Sequence, residues 1–238
     1  VIKEKLIGAI RVDAIENFKA VDKNIIRIFL TQLSIILQNN LMYFENRKRS
    51  FDIIKSLSQA IEEKDIYTKG HSHRVMTYSI KLAEKMKFTN DELEQIRYAG
   101  ILHDIGKIGI PENILLKNGK LTDEEYEIIK QHPEKGYKIM SHISSLNEIS
   151  KIVKYHHERP DGKGYPEGLK GDEIPKAAKI MSLADTFDAM TSDRPYRKGL
   201  GIEVAKMEIQ KYKGEQFDEE IANIFLEMLE TGEIKVEK

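Results

Sequence analysis

The chain has 238 residues, of which 32% are charged and 40% hydrophobic, and its formal net charge is −1. This length allows one large domain or a domain plus part of another, and the composition is typical of a soluble globular protein. The near-neutral charge argues against a broad binding surface for long nucleic acid. The absence of cysteine excludes disulfides and thiolate metal sites and favours a reducing compartment, so we expect a cytoplasmic location.

The first predicted elements are a strand and a long helix. Residues 5–13 are rich in β-branched side chains and predict a strand, which a loop over residues 14–19 follows. Asp22 is a suitable N-cap for a helix that begins near Asn24. The apolar stretch 25–37 has polar interruptions and is too short to cross a bilayer, so we expect no membrane segment in this fragment. Because the chain begins at Val1, we expect it to be a fragment of a longer protein.

Apolar side chains of the long helix recur at a spacing near 3.5, which predicts a helix that continues to about residue 64 and pairs with a second helix. We interpret residues 46–64 as a connector through which two copies of the chain form a homodimer. A core helix joined by a kink to the next domain is the alternative. The apolar positions are Leu30, Leu33, Leu37, Phe44, Phe51 and Ile54.

The strand–loop–helix pattern of residues 1–45 resembles the closing strand and last helix of a GAF domain, a sensor module of signalling proteins. The resemblance rests on the hydrophobic pattern. It implies that this segment is the C-terminal part of a sensor domain and a small α/β fragment.

From Ser50 onward the pattern predicts helices and no convincing strand, and therefore a mainly all-α fold. Thr89 and Thr122 are each followed three residues later by glutamate, the pattern of a capping box. The polar loop 158–173 is unusually long for a compact helical domain, and such loops are often functional. Helices are expected near residues 51–64, 71–87, 90–103, 123–131, 133–141, 146–157, 174–191, 201–212 and 218–230.

Five of the seven histidines, together with two aspartates, lie mostly at predicted helix ends of this region and suit a site for two metals, with Asp104 as the bridge. Adjacent residues on a helix point about 100° apart, so His156 and His157 can share a metal only where their helix ends, which Pro160 ensures. Nitrogen and oxygen ligands without sulfur favour iron or manganese, with zinc, cobalt and nickel as alternatives. The predicted ligands are His71, His103, Asp104, His132, His156, His157 and Asp185.

These residues carry a resemblance to the HD phosphohydrolase superfamily. His71, the pair at 103–104 and Asp185 fit its ordered H…HD…D pattern. The loop 156–166 is similar to the HHE-x-x-DG-x-GYP signature of the HD-GYP subfamily, and residues 103–107 match its HDIGK motif. Residues 184–189 and 193–197 match its later blocks. The resemblance implies an HD-type helical bundle over residues 50–238.

The HD-GYP resemblance also implies an activity, the hydrolysis of cyclic di-GMP at a metal cluster. It assigns one metal to His71, His103, Asp104 and Asp185, and the other to Asp104, His132, His156 and His157. Members with a third metal have a glutamate where this chain has Tyr67, so we expect two metals. His73 and His142 match no ligand position, and we assign them to the surface or to support of the ligands.

Hydrolysis of a phosphodiester needs an activated nucleophile and neutralisation of charge on phosphorus oxygens. The hypothesis is that a hydroxide bridging the two metals attacks phosphorus and yields pGpG, with further hydrolysis to GMP left open. Asp104 is the bridging ligand, and Lys107, three residues later, would stabilise a non-bridging oxygen or assist the leaving group. Arg194 and Arg197 offer forked donors for phosphate or guanine, with ion pairs to nearby carboxylates as the alternative.

The remaining predictions concern the GYP loop and its neighbours. Tyr165 would stack on a base or anchor its own loop. Asp161, Gly162, Gly164 and Pro166 would orient the two adjacent histidines or form a docking surface for other signalling proteins. Asp188, three residues after Asp185, would hydrogen-bond a metal ligand, with a helix-stabilising contact as the alternative.

Two other functions fit the same motifs. One is an HD hydrolase of another cyclic dinucleotide or nucleotide, and the other is a cyclic di-GMP receptor or docking module with little turnover.

Overall fold

The computed structural model describes residues 20–64, 70–117, 119–193 and 198–236, and these residues form helices and loops but no sheet. The predicted strand and loop over residues 5–19 lie outside the described residues. The all-α fold is confirmed for the rest. The helices are α1 (Ala20–Lys64), α2 (His71–Lys85), α3 (Asn90–Leu102), α4 (Glu112–Leu115), α5 (Asp123–Ile129), α6 (His132–Met140), α7 (Asn147–Tyr155), α8 (Lys176–Thr191), α9 (Ile202–Lys211) and α10 (Glu219–Glu230).

The chain divides into two compact units, Val1–Ile53 and Ile54–Lys238. In the first unit the described residues belong to α1, which begins at Ala20, so the prediction of Asp22 as its N-cap is wrong. Large apolar side chains of this helix are exposed, among them Phe29 and Phe44. Residues Lys23–Glu63 are long and apolar enough to cross a membrane by length and composition alone. The expectation of no membrane segment therefore stays a prediction, as do the domain boundaries.

Both predicted capping boxes are confirmed in the second unit. The Thr89 backbone N–H donates to the Glu92 carboxylate over 2.8 Å, and the Glu92 N–H donates to Thr89 Oγ1 over 3.4 Å. Thr122 and Glu125 repeat the arrangement at 2.8 and 3.3 Å. Each box satisfies backbone donors that a helix start would otherwise leave without partners, which explains why α3 and α5 begin where the sequence predicted.

The core of the second unit lies where α2, α3, α7, α8 and α10 pack together. Phe187 of α8 lies at its centre, with its ring centroid 5.4 Å from that of Tyr78 and 5.0 Å from that of Phe225. The 3-10 turn Ile105–Gly109 lies directly against the start of α6, because a Cβ on Gly106 would lie 1.9 Å from the carbonyl oxygen of His132. This packing brings the ends of α3, α6 and α7 to one side of α8.

The last turns of α1 belong to the second unit and fix the start of α2. Glu62 accepts hydrogen bonds from the backbone N–H groups of Gly70 and Ser72, each over 2.9 Å. Ser58 Oγ donates to the carbonyl oxygen of Ile101 over 2.6 Å. Glu62 thus acts as the cap of α2 in place of a residue at its own N-terminus, where Gly70 provides no side chain.

Candidate metal centre

One group of predicted ligands lies between the start of α2, the end of α3 and the middle of α8. His71 Nε2 lies 3.2 Å from His103 Nε2 and 3.1 Å from Asp185 Oδ1. One ligand atom from each of the three lies within 4.8 Å of the others, a spacing that a single metal ion can span. The two imidazoles are buried, whereas Asp185 is partly exposed.

A second group lies where α6 begins and α7 ends. His132 is the first residue of α6, and the pair at 156–157 directly follows α7, whose end lets both rings turn to the same side. The ring centroid of His132 lies 5.4 Å from that of His156 and 5.1 Å from that of His157. Ligand atoms of the three again lie within 4.8 Å of one another.

Asp104 lies between the two groups. Its Oδ1 is 3.4 Å from His132 Nε2, and its Oδ2 is 3.5 Å from His103 Nε2 and 4.0 Å from His71 Nε2. One carboxylate therefore directs an oxygen toward each group. Lys107 Nζ lies 2.8 Å from Oδ2, so a cation accompanies the carboxylate.

Backbone contacts orient most of the imidazoles toward the centre of the cluster. Nδ1 of His103, His132 and His156 lies 2.9, 2.9 and 2.6 Å, respectively, from the carbonyl oxygen three residues earlier. Because a carbonyl oxygen only accepts, Nδ1 carries the proton and Nε2 presents its lone pair. Such fixed tautomers are typical of histidines that bind metals.

The donor set fits divalent metal ions. Within the described part of the chain, Nε2 of His132 and Nε2 of His156 are buried and have no hydrogen-bond partner. A buried polar atom without a partner is costly, so a partner outside the protein is expected for both lone pairs. Imidazole nitrogens and carboxylate oxygens without sulfur are the ligands of iron, manganese and zinc. Metal binding would supply the missing partners.

Protonation of the cluster differs between its two groups. Burial lowers the pKa of His71, but hydrogen bonds with Asp185 and Asp188 outweigh it and raise the pKa to about 10. Burial, followed by the neighbouring imidazole of His132, lowers the pKa of His157 to about 3. The pKa of His156 is also well below its usual value, through burial and then the other imidazoles. Cation binding must therefore compete with a proton at His71, whereas His156 and His157 are neutral at pH 7.

The Asp104 carboxylate stays ionised although it is buried. Burial raises the pKa of Asp104, but the charge of Lys107 and the surrounding imidazoles lower it well below its usual range. The pKa of Asp185 is lowered by its hydrogen bond with His71, against the effect of burial. Both carboxylates are therefore ready to bind cations at neutral pH.

Asp188 contacts His71, a predicted ligand, and Arg74 is a partner of Asp188 that sequence reasoning missed. Asp188 Oδ2 lies 2.8 Å from Nδ1 of His71, so His71 also turns Nε2 to the cluster. Arg74 donates to Asp188 through Nε over 2.6 Å and through Nη2 over 3.0 Å. Arg74 lies one turn after His71 on α2, which is the one sequence signal that relates the two.

The GYP loop is held by Glu158. This residue is part of the HHE-x-x-DG-x-GYP motif, but the sequence predicted no role for it. Its buried carboxylate accepts hydrogen bonds from the backbone N–H groups of Glu167, Gly168 and Leu169 over 2.7, 3.1 and 3.0 Å. A Cβ on Gly164 would lie 2.4 Å from the backbone nitrogen of Arg159, so the loop folds closely on itself. Glu158, which directly follows His157, therefore binds the far end of the loop through three hydrogen bonds.

Other loop residues stabilise the turn itself. Asp161 pairs with Arg159 over 2.6 Å and accepts a hydrogen bond from the N–H of Lys163. Gly162 has a φ of 76°, which favours glycine, and Pro166 follows a cis peptide bond. These contacts stabilise the turn, and the predicted roles of these residues toward the two histidines or a docking partner stay predictions.

Tyr165 lies against the predicted metal ligand His157. Its ring centroid is 4.8 Å from that of His157, with the rings inclined by 31°. This contact fits an aromatic residue that anchors its own loop, the second of the two roles considered. Burial raises the pKa of its hydroxyl, so the phenol stays neutral. Arg194, Arg197 and Tyr67 lie outside the described residues, and their predicted roles stay predictions.

Comparison with known proteins places these features in a family. The family model of the HD domain matches residues 55–221. A cyclic di-GMP phosphodiesterase of Thermotoga maritima is 43% identical over 75% of this chain and 49% of its own length. The cyclic di-GMP phosphodiesterase response regulator RpfG of Xanthomonas campestris is 37% identical over 79% of this chain and 50% of its own length. A 3′3′-cGAMP-specific phosphodiesterase of Vibrio cholerae is 32% identical over 89% of this chain and 41% of its own length.

Solved structures share the fold. The cyclic GMP-AMP-specific phosphodiesterase of V. cholerae matches with a TM-score of 0.60 and 18% identity, over 77% of this chain and 49% of that one. An HDG"Y"P protein of Bdellovibrio bacteriovorus matches with a TM-score of 0.55 and 22% identity, over 67% of this chain and 51% of that one. The chain spans about half the length of the curated relatives it matches. On the extent of the family match, the chain belongs to the HD-domain family.

Proposed function

We propose that this chain is a metal-dependent phosphodiesterase that hydrolyses cyclic di-GMP to pGpG in second-messenger signalling. The observation that carries the proposal is the pair of ligand groups joined by one carboxylate, Asp104. Relatives named cyclic di-GMP phosphodiesterases support the substrate. The 3′3′-cGAMP-specific relative favours another cyclic dinucleotide as the second candidate.

Two divalent ions, iron or manganese, would be held by the seven ligands, with Asp104 shared between them. When bound, such a pair supplies an acidified water and charge neutralisation for a phosphodiester. Lys107, 2.8 Å from the bridging carboxylate, contributes a cation for a non-bridging phosphate oxygen. The backbone carbonyls that accept from Nδ1 keep three imidazoles oriented, and Asp188 does the same for His71. Tyr165 contacts the His157 ring and would help to hold it in position.

Other parts of the proposal concern partners and context. The connector helix would pair with its copy in a homodimer, because its apolar side chains are exposed. The GYP loop would contact other signalling proteins, and residues 1–45 would end a GAF-like sensor. The cytoplasm would be its location, in keeping with the absence of cysteine.

Replacing Asp104 with alanine tests the proposal, because it removes the ligand common to both groups. We expect this variant to lose bound metal, measured by elemental analysis, together with hydrolysis of cyclic di-GMP, measured by chromatography of products. A panel that includes 3′3′-cGAMP decides between the two substrates. An iron- or manganese-loaded wild-type protein that cleaves neither dinucleotide would contradict the proposal, and tight binding without product would indicate a receptor.

A further inference from the structure

Lys130, the residue after α5, lies beside two tyrosine rings close to the metal centre. Its Nζ is 5.4 Å from the ring centroid of Tyr126 and 5.8 Å from that of Tyr165. The Tyr165 ring in turn contacts the ligand His157, with 4.8 Å between the ring centroids. A row of contacting side chains therefore leads from a metal ligand to a cation outside the ligand set.

This row lies at the open side of the ligand cluster. The side chain of His157 is 25% exposed, whereas those of His103 and His132 are 1% and 3% exposed. Tyr126, at the outer end of the row, is 48% exposed. A substrate that reaches the cluster past His157 meets the row on its way.

The charge of Lys130 is available to an anion. Its ion-pair partner is Glu127, three residues earlier, whose side chain is 66% exposed. Exposed pairs of this kind contribute little free energy, so a phosphate can replace the carboxylate at small cost. The ring faces of Tyr126 and Tyr165 favour a cation nearby and restrict the long lysine side chain. Lys130 is therefore a positioned cation.

We propose that Lys130 binds the phosphate of a cyclic dinucleotide that is not being hydrolysed. This inference rests on the proposed function and adds a residue that selects substrates with two phosphates. A cyclic dinucleotide carries two phosphodiester groups, and when one lies at the ligand cluster the other lies outside it. A lysine ammonium is a suitable point charge for such a phosphate. Lys130 is a binding residue, distinct from the groups that contact the reacting phosphorus.

Steady-state kinetics of the manganese-loaded protein test this role. Lys130→Met removes the charge and keeps the aliphatic side chain on the two rings. We expect the KM for cyclic di-GMP to rise about ten-fold, as for the loss of one charge-assisted hydrogen bond, with kcat nearly unchanged. Cleavage of bis(p-nitrophenyl) phosphate, which has one phosphate, should not change. Lys130→Arg keeps the charge and should restore most of the affinity.

Lys151→Met is the matched control. Lys151 forms the same type of ion pair with a glutamate three residues earlier, Glu148, over 2.7 Å, but lines a separate surface groove with Lys87 and Lys176. Its KM should equal that of the wild type. An unchanged KM in Lys130→Met, or an equal loss with both substrates, would overturn the inference while the activity stands. If the wild type neither binds nor cleaves any cyclic dinucleotide, the proposed function and this inference both fail.

Discussion

At the scale of single residues, the site consists of predicted ligands, several of which are oriented by groups outside the predicted ligand set. His71 differs from His103, His132 and His156 because its Nδ1 donates to a carboxylate, that of Asp188, whereas Nδ1 of the other three donates to a backbone carbonyl. Asp188 is itself held by Arg74 through two hydrogen bonds. Replacing either partner would leave a buried charge without its counterpart, so the two residues support the ligand as a unit.

Asp188→Asn should lower the affinity for manganese about 10- to 100-fold, because the weaker amide acceptor no longer fixes the tautomer and angle of His71. Isothermal titration with manganese measures the change. Asp172→Asn is the control, since Asp172 is a fully exposed carboxylate that pairs with Lys179. Equal affinity in the two variants would show that Asp188 does not orient the ligand.

At the scale of elements, the long loop after α7 has a defined shape because the buried carboxylate of Glu158 accepts hydrogen bonds from three backbone N–H groups. Glu158 follows His157 directly, and its partners lie 9 to 11 residues later. The loop therefore closes on the end of the helix that carries two ligands. Its internal contacts, such as the pair Arg159–Asp161, then fix the turn that contains Gly162.

Glu158→Gln should lower the free energy of unfolding by about 1 to 3 kcal/mol, because the amide NH₂ group would face backbone donors in a buried place. Urea denaturation measures this loss, and hydrogen exchange should become faster at the amides of residues 167–169. Glu167→Gln, on the same loop but exposed and paired with Lys154, should change neither quantity much. Unaltered exchange in Glu158→Gln would contradict the role of its carboxylate.

The elements that the sequence predicted well are those with local signals. The capping residues Thr89 and Thr122 and their glutamates lie three positions apart, so the starts of α3 and α5 can be read directly. The contact of Asp188 with His71 joins residues 117 positions apart, and that of Ser58 with Ile101 spans 43. Hydrophobic periodicity carries no information on such pairs. The helix start at Ala20 was missed because apparent N-caps such as Asp22 also occur inside helices.

The ligand set is a different case, since the motifs named its members but not their arrangement. The order of histidines and aspartates along the chain resembles that of the HD-GYP subfamily, and this resemblance assigned the residues to two metal-binding groups. Packing of α2, α3, α6, α7 and α8 brings the ligand atoms of each group of three within 4.8 Å of one another. The roles of Arg74 and Glu158 needed coordinates, because each acts on another side chain or on the backbone of a distant loop.

At the scale of the whole molecule, the buried imidazoles make the stability of the metal-free protein depend on pH. His157 has a pKa of about 3 when folded and about 6.5 when unfolded, so between these values the unfolded chain binds more protons. The lowered pKa values of His132 and His156, caused first by burial, act in the same direction. Above pH 6.5 the raised pKa of His71 reverses the trend, because there the folded state holds the additional proton.

The free energy of unfolding of the metal-free protein should therefore fall as the pH drops from 6.5 to 4.5, by up to about 1.4 kcal/mol per pH unit for each such histidine. Urea denaturation at a series of pH values measures the slope. His157→Asn should reduce it, whereas His142→Asn, at an exposed histidine, should leave it unchanged. The same slope in all three proteins would contradict the assignment to the buried cluster.

The two hydrogen bonds from the start of α2 to Glu62 also make the metal centre sensitive to the angular setting of the last turns of α1. A change of one residue in helical register would rotate the carboxylate by about 100° and shift it by about 1.5 Å along the axis, so both bonds would break together. Gly70 and Ser72 flank His71, and their release would loosen this predicted ligand while His103, His132 and His156 kept their backbone contacts. The two hydrogen bonds can therefore form in one helical register of α1 and are lost when the register shifts by one residue.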